Sequence, residues 1–318
     1  DAIERALEDR LVRSGVDPEG SSWKRAAQET TEATLDASLE FPPGQSLFTM
    51  IVTERVESWI DGVREPRVAA WRGAVANRLL SPIDPPDGAE AMVAPMTWVL
   101  EQAADGLRLT QSHYLPPAVV REGVERFDWW PFDRPPRSEA DVPQLLDLRE
   151  VATDLRLVRR TGRDLKLTKS GVAALTNPAV LWRRLVDTIG GSSEFEGIVA
   201  ELLALSLLHG DAVDDELERE LASVLAALGW RRTDGEISPR DVGEALWERL
   251  RVWVALNIVD HHWSVWDSAT QEELEPSRVA LTDAGVTTVL AYLRRRALAP
   301  RHDVGHPDDF DDLDDLDD

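Results

Sequence analysis

The chain has 318 residues, with 35 Lys and Arg against 59 Asp and Glu, a formal net charge of −24, and no cysteine. Disulfide frameworks, thiolate zinc sites and cysteine nucleophiles are therefore excluded, and the acidic balance opposes nonspecific nucleic-acid affinity, which rests on neutralising phosphates. No stretch approaches the roughly 18 apolar residues that span a bilayer, and the opening Asp1-Ala2-Ile3-Glu4 has no signal-peptide character, so the expectation is a cytoplasmic protein without membrane contact.

Residues 1–80 read as a helical N-terminal region. Ile3, Leu7 and Leu11 repeat at the spacing of one helical face. A polar, Thr-rich helix over 22–39 ends at Phe41-Pro42-Pro43-Gly44. Phe48, Val52, Val56 and Trp59 mark a third helix, and Pro66 opens a fourth through Val68, Trp71, Val75 and Leu79. Residues 81–95 are expected to form a linker, because Pro82, Pro85 and Pro86 among aspartates cannot continue a helix.

Residues 96–190 follow a different order. A helix over Met96–Ala104 precedes an alternating strand at Leu107–Thr110, a helix at Pro116–Phe127 and a Pro-rich loop at Asp128–Asp141. A helix at Pro143–Asp154 then leads into a hairpin over 155–168, turning at Thr161-Gly162. That order is the order of a winged helix-turn-helix unit with the hairpin as its wing. It recurs over 194–299, with helices at Phe195–Leu208, Ala212–Leu228 (Asp211 as N-cap) and Pro239–Leu256, strands at 258–266 and 277–282, and a closing helix from Asp283. Leu165-Lys-Leu-Thr168-Lys-Ser-Gly171 matches Val279-Ala-Leu-Thr282-Asp-Ala-Gly285. In both, Thr suits the helix N-cap, and the glycine lets the helix lie against the strand. The expected fold class is mainly α, of α+β type: a helical N-terminal region, two winged-helix-like units and a disordered acidic tail over 300–318.

The run Gly106-Leu-Arg-Leu-Thr-Gln-Ser-His-Tyr-Leu-Pro-Pro-Ala-Val-Val120 resembles a segment of actinobacterial insertion-element passenger and plasmid open-reading-frame proteins. So does Leu157–Gly171, followed by Asn177-Pro178 and Leu181-Trp182. The resemblance covers about residues 95–300 and implies no activity or catalytic residue.

The first hairpin concentrates positive charge. Arg156, Arg159, Arg160, Arg163, Lys166 and Lys169 stand against one acid, Asp164, and two of the chain's three lysines lie here. Such a wing can reach phosphates or a minor groove; equally, charges on an edge hairpin prevent strand aggregation. The helix expected to enter a major groove argues against base reading, since it offers Asp147, Glu150 and Asp154 with Arg149 alone. Trp129, Trp130 and Phe132 in the Pro-rich loop are expected to pack between domains or to anchor a partner. His261 and His262, adjacent on a strand, point to opposite faces and form no joint metal site. No nucleotide loop, nucleophile elbow or His-Glu-x-x-His motif is present.

The C-terminal run 303–318 carries nine aspartates and no lysine or arginine. Its Phe310, Leu313 and Leu316 recur every third residue and would form one ridge on a basic partner; a solubility role and shielding of the basic wing are the other readings. The sequence thus predicts a non-catalytic macromolecular interaction module with a protein partner in a nucleic-acid-associated assembly. The alternative is a DNA-binding regulator that uses the basic wing. No cofactor, metal or small-molecule substrate is expected.

Overall fold

Local capping chemistry sets most helix starts. Ser193 and Ser238 each accept a hydrogen bond from the N–H three residues on, and Glu196 and Asp241 reach back to complete capping boxes. Proline occupies the first turn of five helices, where a missing N–H costs nothing. The computed structural model describes residues 11–13, 16–17, 22–37, 45–130, 132–232, 235–262, 264–266 and 273–299. Two units divide the chain: residues 1–56 with 295–318, and residues 57–294.

In the first unit, helix α1 (Trp23–Asp36) buries no residue completely. Thr31 and Thr34 return their hydroxyl hydrogens to Ala27 O and Thr30 O one turn earlier. Val52 and Val56 of helix α2 (Leu47–Asp61) are buried. The expected helical face at Ile3 and Leu7 lies outside the described residues.

The second unit is mainly helical with small sheets. Helices α3 (Pro66–Leu79) and α4 (Ala89–Ala103) lead in. The helix expected from Met96 thus begins at Ala89, inside the expected linker. Gly88 turns the chain at φ 82°, and burial of Met92, Val93, Met96, Trp98 and Leu100 holds the helix through Pro95.

Then come strand β1 (Leu107–Arg108), helix α5 (Pro117–Phe127), helix α6 (Pro143–Asp154), strand β2 (Val158–Thr161) and strand β3 (Asp164–Leu167). Helices α7 (Lys169–Leu175) and α8 (Pro178–Val186) follow. A second series holds helix α9 (Glu194–Leu207), strand β4 (Ala212–Val213), helix α10 (Asp214–Ala227), a small hairpin of β5 (Arg231–Arg232) and β6 (Gly235–Glu236), and helix α11 (Pro239–Ala255). Strands β7 (Val259–His262), β8 (Val265–Trp266), β9 (Glu273–Glu275) and β10 (Arg278–Leu281) and helix α12 (Asp283–Leu298) complete it.

The two series share one sheet topology. The antiparallel orders are β1-β3-β2 and β4-β10-β7, so in each the short first strand pairs with the last. This corrects the expected start of the second helix at Ala212, with Asp211 as its N-cap. Ala212 and Val213 pair with Val279 and Arg278 instead, and α10 begins at Asp214. A two-residue strand has no periodicity to read, and only its pairing with β10 reveals it.

The matched Thr–Gly junctions have nearly the same geometry. Thr168 Oγ1 donates to Arg156 O at 2.6 Å and accepts from Gly171 N at 3.0 Å. Thr282 Oγ1 donates to Asn257 O at 2.8 Å and accepts from Gly285 N at 2.9 Å. Arg156 and Asn257 both take left-handed backbone, at φ 54° and 51°.

The core contains Trp98, Trp182 and Trp253, and each indole N–H has an acceptor. These are Glu122 Oε1 at 3.0 Å, Thr288 Oγ1 at 2.9 Å and Ile189 O at 3.1 Å. One charged pair lies deep. Glu201 is fully buried, and its Oε1 accepts from Arg72 Nε at 2.8 Å and from Trp59 Nε1 at 3.1 Å. The Arg72 guanidinium also donates to Trp59 O and lies 4.7 Å from the centroid of the Trp59 ring.

Candidate interaction surfaces

The helices that follow the second helix of each series, α6 and α11, pack against each other. Their contact includes a charged clasp: Arg251 donates to Asp147 Oδ2 at 3.0 Å and Oδ1 at 3.4 Å. The single arginine of α6 is occupied as well. Arg149 Nε donates at 2.6 Å to Glu139, which is fully buried and also accepts from Leu115 N. Of the α6 acids, Asp147 thus serves helix pairing, while Glu150 and Asp154 stay exposed. Beside the clasp, a cleft of about 580 Å³ is lined by Glu150, Asp154, Asp187, Glu196, Glu248 and Arg249 among others.

The first hairpin has the opposite character. Arg156, Arg159, Arg160, Arg163, Lys166 and Lys169 are all exposed. Val158 and Leu165 are buried and Leu167 is half-buried, which marks the inner face. Arg160 pairs with Leu165 and so shares that face at its exposed edge, whereas Arg159 pairs with Lys166 on the outer face. Two cations directly opposite each other repel, and such a pair disfavours the sheet.

Arg163 departs from the expected contact set. Its Nε and Nη2 donate to Leu109 O at 3.1 and 2.8 Å, and Leu109 N donates to Arg163 O at 2.7 Å. This residue ties the hairpin to the segment after β1. Nothing in spacing distinguishes it from Arg159 or Arg160, because its partner lies far back in the chain. Among the described residues, the other five cations make no salt bridge or side-chain hydrogen bond.

The aromatic loop splits into two roles. Trp129 is buried and stacks on Phe127 at 4.7 Å, and Phe127 meets Trp98 edge-on at 5.9 Å. It therefore packs within the first series, which corrects the expectation of packing between domains. Trp130 and Phe132 form an edge-to-face pair at 4.9 Å, and Phe132 is 65% exposed. Together with Pro135, Pro136, Arg134 and Arg137 they line an open cleft of about 710 Å³. Phe310, Leu313 and Leu316 of the acidic tail lie outside the described residues.

Sequence reading missed one buried polar cluster. His261 faces the core side of its strand, where Nε2 lies 2.9 Å from Asp214 Oδ2 and 3.3 Å from Ser277 Oγ. His262 is exposed on the opposite face, as alternation requires. Serine and aspartate meet the same ring nitrogen, so the imidazole does not bridge them as a general base between nucleophile and carboxylate would. Trp247 packs edge-on to His261 at 5.3 Å and donates to Glu218 at 3.2 Å. Among the described residues, no three His, Asp or Glu side chains are placed to hold a metal ion. No helix among them is long and apolar enough to cross a membrane.

Two carboxyls in this region shift in opposite directions. Burial alone would raise Glu196, but the Ser192 and Ser193 N–H groups and the charge of Arg249 outweigh it and hold the carboxyl below the usual range. Burial raises Glu218, and the charges of Asp215 and Asp214 add to that rise against the Trp247 hydrogen bond. The linkage signs therefore differ. Glu196 contributes stability above its unfolded pKa, and this is lost as pH falls through the lower folded value. Glu218 disfavours the fold increasingly as pH rises from its unfolded pKa through the raised folded value. Unfolding free energy measured across acid pH should accordingly decline less steeply in Glu196→Gln than in the parent, while Glu218→Gln gains most at neutral pH. Parallel curves for parent and both variants would contradict this assignment.

No family model matches the chain, and neither a curated protein nor a solved structure shows significant similarity to it.

Proposed function

We propose that this protein is a non-catalytic interaction module built from two winged-helix units, with boundaries near 96–190 and 194–299. The shared helix–strand–helix–helix–hairpin order and the matching sheet orders support the winged-helix reading. The observation that carries the functional reading is the clasp between α6 and α11. These are the helices that a DNA-reading winged helix would place in a major groove, and here they cover each other. The cationic hairpin and the Trp130–Phe132 edge face outward, two surfaces suited to macromolecular partners.

The test is selection from a random duplex DNA library. Retained sequences should show no enriched base motif, because α6 and α11 pack against each other and the charged side chains they expose are mainly carboxylates. An enriched motif whose recovery depends on side chains of α6 or α11 would overturn the reading and leave a sequence-specific regulator. A regulator that uses only the hairpin is the second reading, favoured by the cluster of exposed cations.

A further inference from the structure

The outward-facing surfaces proposed above leave the partner's chemistry open, and the hairpin narrows it. We propose that the outer face of β2 and β3, with Arg159 and Lys166, and the base of the hairpin, with Arg156 and Lys169, form a contact ledge for a nucleic-acid phosphate backbone, with Arg163 as a positioning residue. This inference rests on the interaction-module reading and assigns one partner to one of its surfaces.

Three observations support it. First, Arg159 and Lys166 stand directly across from each other on the exposed face. Like charges so placed repel, and a bound polyanion converts that repulsion into attraction. Second, Arg156 and Lys169 add two exposed cations at the base of the hairpin, where the Thr168 hydroxyl donates to Arg156 O and brings the two chain segments together. Third, no large apolar side chain is exposed on the hairpin. An acidic protein segment held only by exposed ion pairs gains little from each. A phosphate backbone carries a condensed counterion layer, and its release supplies affinity to a purely cationic surface. The same comparison favours nucleic acid over an acidic polypeptide.

Arg163 acts differently. With its guanidinium on Leu109 O, it holds the turn of the hairpin against the segment after β1. Its loss should loosen the ledge without removing a phosphate contact. Arg160, on the inner face, lies outside the contact row.

The experiment is fluorescence-anisotropy titration of the full chain with a mixed-sequence DNA duplex over a range of salt concentrations. Single-stranded DNA and poly-glutamate serve as comparison probes, and thermal melts confirm that each variant folds. Arg159→Gln combined with Lys166→Gln should weaken duplex binding and reduce the slope of log affinity against log salt by about 2, roughly 0.9 per lost contact. Arg163→Ala should weaken binding and leave the slope unchanged. Poly-glutamate should compete less well at equal charge, because its charges are spaced more widely than those of the duplex. Absence of DNA retention at low salt, or equal competition by poly-glutamate, would overturn the nucleic-acid assignment while leaving the interaction-module reading intact. A slope reduced by about 0.9 in Arg163→Ala, the value of one lost phosphate contact, would overturn the positioning role.

Discussion

Gly171→Ala and Gly285→Ala should each destabilise the protein severely. A Cβ on Gly171 would stand 2.0 Å from Leu157 O, and one on Gly285 would stand 1.8 Å from Ile258 O. Both obstacles are backbone carbonyls that already accept from the N–H of Thr168 and Thr282, so neither can swing aside as a flexible side chain does. Overpacking in cores costs about 1–3 kcal/mol, and these contacts belong at or beyond the upper end. Gly73 is the control: it lies exposed within α3 with open space around its Cα, so Gly73→Ala should stabilise by about 0.5–1 kcal/mol. Urea unfolding midpoints distinguish these outcomes. If Gly171→Ala behaves like Gly73→Ala, the helix after the hairpin does not lie on the Leu157 carbonyl.

The second large effect is expected at the buried charge pair. Glu201→Ala removes the carboxylate that accepts from both Arg72 and Trp59, and leaves the guanidinium buried without its counter-charge. Breaking one partner of a buried pair costs about 3–5 kcal/mol. The double variant Arg72→Met with Glu201→Leu should recover most of that loss, because two apolar side chains fill the space without a desolvation penalty. The Trp59 indole N–H then lacks its acceptor, so recovery stays incomplete. Equilibrium unfolding of the three variants tests the pair. A single substitution costing below about 1 kcal/mol would place the pair among solvent-screened ones.

Several elements were legible in the residues, and each for a local reason. Proline and capping residues mark the starts of α5, α6 and α7, whereas sequence reading missed the break at Thr176-Asn177 that separates α8 from α7. Alternation around Thr161-Gly162 marks the first hairpin. The repeated Thr-x-x-Gly junction reports a steric requirement, and a requirement that depends on one atom being absent leaves its mark in sequence. The six-cation cluster was legible too, since its members are close in sequence, at the hairpin and the first residue of α7, and all are exposed.

Other features were settled by distance in the fold. Strand β4 exists because β10 lies beside it, and its two residues show no pattern of their own. Helix α4 starts early because buried apolar side chains outweigh the cost of Pro95. Arg163 is separated from Arg159 and Arg160 by its partner Leu109, and Trp129 from Trp130 by Phe127. The acids of α6 read as unsuited to DNA, but their positive role, the clasp of Asp147 on Arg251, needs both helices in place.

By itself, then, the sequence determined the helical composition, most of the order of elements, the strand-to-helix junctions and the location of positive charge. These follow from residue-scale rules of periodicity, capping and backbone freedom. Only the tertiary structure decided that α6 and α11 cover each other, which cation is occupied, and which aromatic side chain faces outward. Each of those depends on a partner far away in the chain, and no local pattern encodes which surface will come to lie against which.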